Sequence, residues 1–117
     1  MNTWHTVHGP EGQLLFDRMR FARSSRSRVR GLLGRRSLPA GEGLAFREKS
    51  IHMLFMRMSI DAVFCDGDLR IVKVVPQLRP WRFAACGSAR FVLEIAAGDA
   101  ARLGLEPGVA LRAEPPL

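Results

Sequence analysis

The stretch 51-IHMLFMRMSIDAVF-64 is the most apolar run of the chain, and it leads through Asp66-Gly67 into a second strand-like run, residues 69–75. An Asp-Gly pair between two apolar runs is a strong hairpin signal. The pattern therefore predicts that residues 62–66 and 69–75 are paired antiparallel strands in the middle of a sheet. Pro76 would end the second strand, because proline cannot donate a hydrogen bond to the ladder. Between residues 51 and 60, helix and strand patterns compete.

Short strand-like runs and tight turns dominate the rest of the chain, with alternating apolar residues over 3–8, 13–22 and 90–96. Two short segments have helical spacing and helix-ending glycines, one over about 25–34 and one over about 99–104. These features predict a mainly β (α+β) fold. We expect a small, strongly twisted antiparallel sheet or a partly closed β-barrel, with two short helices.

Length and composition indicate one globular domain over residues 1–117, with no apolar run long enough for a membrane helix. The N-terminus shows no secretory signal pattern, so we expect a cytoplasmic protein. The two cysteines, Cys65 and Cys86, lack the paired spacing of a metal site and are expected to be reduced thiols, with Cys65 in the core. No cofactor, metal site or membrane partner is predicted, and the oligomeric state is left open.

The positive charge of the chain, +7 in net terms, is concentrated between Arg18 and Arg36, a segment with eight arginines and no acidic residue. One interpretation is an anion-binding face for nucleic acid or an acidic partner. The other is a solvated face, which we favour because few aromatic residues are interleaved for base stacking. Nucleic acid is therefore not the expected partner. The Gly-x-x-Gly at Gly31 and Gly34 falls within one predicted helix, which argues against an RNA-binding loop.

Three polar residues interrupt the apolar run, and two interpretations of His52, Arg57 and Asp61 remain open. They are buried, hydrogen-bonded groups that hold a loop in place, or they form a polar cluster at the mouth of an apolar cavity. The structural interpretation is favoured, because a buried charge needs a partner. For Asp61, arginine or backbone N–H groups are the expected donors. No nucleotide-binding motif or nucleophile elbow is present, so no catalytic residue is assigned.

Four separated blocks resemble a widespread prokaryotic family, and they contain the following motifs: residues 30–35; Leu38 with residues 41–46; Ile51-His52, Met56-Arg57 and residues 60–64; and residues 92–98 with residues 103–105. The Ile-His before the Met-Arg pair and the later Pro80-Trp81-Arg82 triplet resemble one branch of that family. On these blocks the chain resembles domain of unknown function family 192, over about residues 20–113. The resemblance implies a compact β-rich fold and no established activity. The recurrent polar positions of the family correspond here to a set of seven residues: Arg30, His52, Arg57, Asp61, Trp81, Arg82 and Glu94.

The function these observations favour is a non-catalytic binding module with a polar and aromatic cleft for a small anionic or sugar-like ligand. Its candidate ligand-binding residues are Arg30, His52, Met56, Arg57, Asp61, Trp81, Arg82 and Glu94. One alternative is an enzyme in which His52 is the general acid or base, tuned by Asp61 or Glu94. The other alternative is binding of nucleic acid or an acidic partner through Arg18–Arg36.

Overall fold

The computed structural model describes residues 3–23, residue 32 and residues 34–117. The described residues form nine strands and one short helix. The strands are β1 (Thr3–His8), β2 (Leu14–Phe21), β3 (Glu42–Phe46), β4 (Ser50–His52), β5 (Ile60–Cys65), β6 (Ile71–Leu78), β7 (Phe83–Ala85), β8 (Phe91–Ala96) and β9 (Arg112–Glu114), and the helix is α1 (Asp99–Leu103).

Seven of these strands form one curled, half-barrel sheet in the order β6-β5-β8-β3-β2-β1-β9, and β4 pairs with β7 in a small second sheet. The terminal strands of the large sheet approach each other. The Ile71 N–H donates to the Val109 carbonyl at 2.8 Å, and the Leu111 N–H donates to the Leu69 carbonyl at 3.0 Å. The prediction of a mainly β fold is confirmed, and the curled half-barrel corresponds to the predicted alternative of a partly closed barrel.

The sheet differs from the prediction in the direction of one strand, because β2 and β3 run parallel while the other neighbouring pairs are antiparallel. The prediction of an antiparallel sheet therefore holds for the other described pairs but not for β2 and β3. A parallel pair needs a connection of a dozen or more residues to return the chain to the same end. Residues 22–41 lie between the two strands and are long enough for that return.

The helix predicted at about 99–104 is confirmed as α1, and the left-handed residues Gly98 and Gly104 flank it. The helix predicted at about 25–34 falls almost entirely outside the described residues. One helix is described instead of two, so the prediction of two helices is not confirmed. No helix in the described part of the chain is long and apolar enough to span a membrane.

The central strands of the sheet are buried on both faces, so the protein has two apolar clusters with the sheet between them. One cluster contains the side chains of alternate strand residues together with the three methionines of the segment after β4: Leu44, Met53, Met56, Met58, Ala62 and Val92. The other contains their neighbours along the strands: Ala45, Val63, Leu93 and Ile95. Burial on both faces explains why β5 and β8 are apolar almost throughout.

The predicted hairpin is confirmed, because β5 and β6 pair as antiparallel strands around a turn at residues 66–70. Its position is only partly as predicted, since β5 is interior while β6 is a terminal strand. The prediction that Pro76 ends the strand is wrong, because β6 continues through it to Leu78. A proline is tolerated on a terminal strand, where no ladder bond is needed on the outer side.

Candidate functional site

The segment between β4 and β5 forms a loop that is held against the turn before β7 by one residue, Met53. The Met53 N–H donates to the Arg82 carbonyl at 2.7 Å, and the Met53 carbonyl accepts the Trp81 N–H at 2.8 Å. The side chain of Met53 is fully buried, so the junction is anchored in the core. These bonds bring the loop over residues 54–58 and the turn over residues 79–82 to one surface.

On this surface Phe55 and Trp81 form an aromatic pair. Their ring centroids are 4.9 Å apart at an interplanar angle of 61°, an edge-to-face arrangement. Both side chains are mostly exposed, Phe55 by 67% and Trp81 by 59%. Both residues also have left-handed backbone angles, with φ of 64° and 69°. Such a conformation costs a non-glycine residue about 1–2 kcal/mol, and strained positions of this kind cluster at functional sites.

A pocket of about 500 Å³ opens beside this aromatic pair, and it is lined by Gly34, Phe55, Met56, Arg57 and Trp81. This volume is within the range of about 300–1,000 Å³ that is usual for small-molecule sites. Met56 is buried and contributes an apolar floor, while Arg57 is exposed. No carboxylate among the described residues lies within ion-pair distance of Arg57. The pocket thus combines an aromatic wall with a guanidinium available to an anion.

The Gly34 side of the pocket is fixed by an ion pair between Arg35 and Glu42. The two guanidinium nitrogens of Arg35 donate to the two carboxylate oxygens of Glu42 at 2.7 and 3.2 Å. The hydrogen bond raises the pKa of Arg35 and lowers the pKa of Glu42. Because Glu42 begins β3, this bidentate contact ties the segment after Gly34 to the first residue of an interior strand of the large sheet.

Three of the residues predicted from the sequence line this pocket together: Met56, Arg57 and Trp81. His52, at the end of β4, and Arg82, in the 79–82 turn, are not among the described lining residues. His52 is exposed in β4, pairs in register with Phe83, and accepts the Leu54 N–H on its Nδ1 atom at 3.4 Å. Arg30 lies outside the described residues.

Asp61 lies in the interior, away from the described pocket lining. It is fully buried in β5, where its Oδ1 accepts the Gln77 N–H at 2.8 Å. Its Oδ2 accepts the N–H groups of Gly98 at 3.0 Å and Ala100 at 2.9 Å. The expected backbone donors are therefore present, and the carboxylate joins β6 and the start of α1 to β5. This geometry fits the structural interpretation of Asp61.

Glu94 is also fully buried, in β8, where its register partners are Leu44 and Ala62. It does not contribute to the described pocket lining. Asp61 was predicted as a ligand-binding residue because it interrupts an apolar run, and Glu94 because it corresponds to a recurrent polar position of the resembling family. In the structure, both carboxylates are buried in interior strands of the sheet.

Sequence reasoning missed two of the pocket residues, Phe55 and Gly34, and the apolar surface that Leu54 and Phe83 add beside them. Phe55 sits in a continuous apolar run whose local pattern suits a buried element. Its exposure follows from a left-handed turn that no glycine or asparagine marks in the sequence. Gly34 was identified only as a helix end, although its φ of 82° is consistent with a turn.

The two cysteines are free thiols in different surroundings, with Cys65 buried and Cys86 partly exposed. Burial raises the pKa of the Cys65 thiol to about 12, so the thiol stays protonated at neutral pH. The prediction that Cys65 is a core residue is confirmed. Within the described ranges, no three His, Cys, Asp or Glu side chains are grouped so that they could hold a metal ion.

Comparison with known proteins places this geometry among uncharacterised relatives. The model of domain of unknown function family 192, Uncharacterized ACR, matches residues 6–113. A UPF0127 protein of Thermococcus sibiricus is 40% identical over 60 residues, which are 50% of this chain and 38% of that relative. The chain thus spans well under half the length of this relative.

Two solved structures share the fold. A protein of unknown function from Novosphingobium aromaticivorans is 30% identical with a TM-score of 0.77, and the match covers 95% of this chain and 84% of that one. A candidate transcription regulator from Sinorhizobium meliloti is 22% identical with a TM-score of 0.81, covering 97% and 95% of the two chains. At 22% identity the second likeness shows the fold alone.

Proposed function

The chain belongs to domain of unknown function family 192, and we propose that it is a non-catalytic binding protein for a small anionic or sugar-like ligand. The ligand would occupy the pocket between the 54–58 loop and the 79–82 turn. The observation that carries the proposal is the exposed Phe55–Trp81 pair, in which both residues hold strained backbone angles at the edge of a pocket.

The chemistry of the pocket suits an anionic group or a sugar ring. The Arg57 guanidinium can donate two parallel hydrogen bonds to a carboxylate or phosphate. The faces of Trp81 and Phe55 offer an apolar surface for the flat side of a sugar ring or another planar group. The described lining contains no acidic residue that would repel an anion. Met56 provides an adaptable apolar contact below the rings.

Binding is favoured over catalysis by the surroundings of His52. A general base of this type is usually oriented by a second polar group on its ring. Of the two carboxylates expected to supply that contact, Asp61 has both oxygens occupied by backbone N–H groups, and Glu94 is fully buried whereas His52 is exposed. The Nδ1 atom of His52 accepts a backbone N–H from its own loop.

Binding of nucleic acid through Arg18–Arg36 has less support, because two of the described arginines have local partners. Arg35 is paired with Glu42, and Arg18 contacts Asp17 and the Ala40 carbonyl. Much of the segment, residues 24–31 and residue 33, lies outside the described residues. This alternative predicts retention on heparin that falls steeply with salt.

The proposal can be tested by fluorescence, because Trp4 and Trp81 are the two tryptophans of the chain. A Trp4→Phe variant reports Trp81 alone. We expect its emission to change in a saturable way with a sugar phosphate, a neutral oligosaccharide or inorganic phosphate. Arg57→Ala should lower the affinity for an anionic ligand by about tenfold or more, which is the usual loss when a hydrogen bond to a charged group is removed.

Arg90→Ala is the matched control, since Arg90 is an exposed arginine outside the described lining of this pocket. Binding by this variant should equal that of the parent. If Arg57→Ala and Trp81→Ala bind every ligand of the panel as tightly as the parent protein, as judged by calorimetry, the pocket is not the binding site.

A further inference from the structure

The parallel strands β2 and β3 place two arginines next to each other, just beyond the carboxyl ends of the two strands. In parallel strands both carboxyl ends lie at the same edge, and here Phe21 of β2 is in register with Ala45 of β3. The pairing continues one step further, because the Ala22 N–H donates to the Ala45 carbonyl at 2.8 Å. Arg23 and Arg47 each follow two residues after the Phe21–Ala45 pair, so they emerge side by side.

Both arginines are exposed, and neither has an ion-pair partner among the described carboxylates. The Arg47 guanidinium lies over the Phe91 ring, 5.2 Å from its centroid. This contact fixes the side chain but does not neutralise its charge. Two like charges at one edge repel each other, and an anion between them would replace that repulsion with attraction.

A pocket of about 440 Å³ lies at this edge, with Arg23 and Arg47 in its lining and an apolar wall that includes Phe21, Pro116 and Leu117. This pocket is distinct from the one beside Trp81, and the two share no described lining residue. Its volume is also in the range of about 300–1,000 Å³ that small-molecule sites occupy.

One wall of this pocket is held in place by His5, which is buried and hydrogen-bonded through both ring nitrogens. Its Nε2 contacts Thr3 Oγ1 at 2.7 Å, and its Nδ1 contacts the carbonyl of Pro115. The ring also meets Phe21 edge to face, at 6.2 Å between centroids. His5 thus positions the segment after β9 against β1, and the apolar wall is preformed.

From these features we propose that the pocket at the β2–β3 edge is a second ligand site, which takes a small organic anion. The head group would be a carboxylate or a phosphate bound by Arg23 and Arg47, since a guanidinium fork fits either. The body would be an aromatic or aliphatic group lying on Phe21, Pro116 and Leu117. This inference is independent of the function proposed for the other pocket.

Isothermal titration calorimetry with four compounds tests both halves of the proposal. 3-Phenylpropionate and phenyl phosphate carry the two anionic heads on a similar body, 3-phenylpropionamide lacks the charge, and inorganic phosphate lacks the body. We expect at least one of the organic anions to bind. The neutral amide and inorganic phosphate should each bind about tenfold or more weakly, because each lacks one of the two contributions. Which organic anion binds more tightly identifies the head group.

The location is tested with the wild-type protein by following backbone amide chemical shifts during the titration. Shifts should concentrate at Thr3, Phe21 and Arg47, with residues 55–57 and Trp81 unaffected. The double variant Arg23→Ala/Arg47→Ala should lose at least about tenfold in affinity. Arg102→Ala is its matched control, an exposed arginine outside the described lining of both pockets. Arg23→Ala alone, which leaves the Arg47–Phe91 contact intact, serves if the double variant is unstable.

Several outcomes would overturn the proposal. They are the absence of binding by either organic anion at millimolar concentration, equal binding of the amide, equal binding of inorganic phosphate, and unchanged affinity in the Arg23 variants. Shifts confined to the pocket beside Trp81 would assign the anion to that site instead. None of these results would decide whether the Trp81 pocket binds a different ligand, so the two proposals fail separately.

Discussion

Asp61 and Gln77 are joined by a hydrogen bond of 2.8 Å, from the Gln77 backbone N–H to Asp61 Oδ1, at the point where the β5–β6 ladder becomes irregular. Gln77 has a left-handed φ of 50°, and the ladder gains an extra residue on β6 between the Ile60–Leu78 and Ala62–Val75 pairs. The Asp61 carboxylate thus accepts the Gln77 N–H in place of the backbone carbonyl that a regular ladder would provide.

Replacing Asp61 with asparagine should destabilise the protein strongly. The amide keeps one oxygen acceptor, but its NH₂ group would meet at least one backbone N–H donor that the carboxylate now accepts. Hydrogen bonds to charged groups contribute about 1.5–3 kcal/mol each, so the loss of one such bond should lower the free energy of unfolding by at least about 1.5 kcal/mol. Urea denaturation followed by circular dichroism measures it.

Asp68→Asn is the control for this prediction, because Asp68 is exposed in the same hairpin turn and should change stability by less than about 0.5 kcal/mol. If Asp61→Asn were as mild as Asp68→Asn, the three backbone contacts of Asp61 would not matter to stability.

The Arg35–Glu42 ion pair should make stability depend on pH in the acid range. The Arg35 hydrogen bond holds the pKa of Glu42 below its ordinary value of 4.5. The contribution is therefore fully present above pH 4.5 and is lost as the pH falls through the lower folded pKa. Because the Arg35 side chain is 37% exposed, we expect only about 0.5–1 kcal/mol.

Unfolding by urea at pH 7 and at pH 3 checks this prediction. Glu42→Gln should be less stable than the parent at pH 7, and the difference should shrink at pH 3. Glu48→Gln, at an exposed glutamate with no described ion pair, should show no such pH-dependent difference. If Glu42→Gln were less stable than the parent by the same amount at pH 3 and at pH 7, the lowered pKa assigned to Glu42 would be contradicted.

The left-handed angle of Phe55 predicts an unusual order of stabilities. Phe55→Gly and Phe55→Ala both remove the contact with Trp81, but only glycine adopts φ of 64° without strain. Phe55→Gly should therefore be more stable than Phe55→Ala by about 1 kcal/mol. Chemical denaturation of the two variants gives the difference directly.

The neighbouring Leu54 offers the reverse order as a control, since it is exposed and is not among the left-handed residues. There, alanine should be as stable as glycine or more stable, by up to about 1 kcal/mol. The same order at both positions would mean that the strain at Phe55 is absent in solution. Both Phe55 variants should also lower the affinity of the Trp81 pocket for any ligand that it binds.

The thiols should differ sharply in reactivity. Burial raises the pKa of Cys65 to about 12, whereas Cys86 is partly exposed beside Ser88. With an aromatic disulfide reagent at pH 8, modification of each protein thiol releases one coloured thiolate. The folded protein should rapidly release one equivalent of this thiolate per chain, and Cys86→Ser should release none until denaturant is added. Rapid modification of both thiols in the folded protein would contradict the burial of Cys65.

Local signals in the sequence were sufficient for the hairpin and for α1, because a turn pair or a flanking glycine determines each. They were insufficient for the β2–β3 pair, whose direction depends on residues 22–41 and on no pattern within either strand. The position of Asp61 within an apolar run indicated burial with hydrogen-bond donors, but it did not indicate that these donors come from Gln77, Gly98 and Ala100. The exposure of Phe55 depends on one backbone angle, which composition does not encode.

The approach of β6 to the segment before β9 has a consequence for self-association. A free strand edge is a template for addition of a second chain, and long, flat, apolar edges aggregate. Here Ile71, the first residue of β6, and Leu69 before it are already hydrogen-bonded to backbone groups of residues 108–111. Further along β6, Lys73 adds a charge and Pro76 lacks a backbone N–H, and both features disfavour pairing with another strand. The curvature of the sheet therefore also protects the folded chain against edge-to-edge polymerisation.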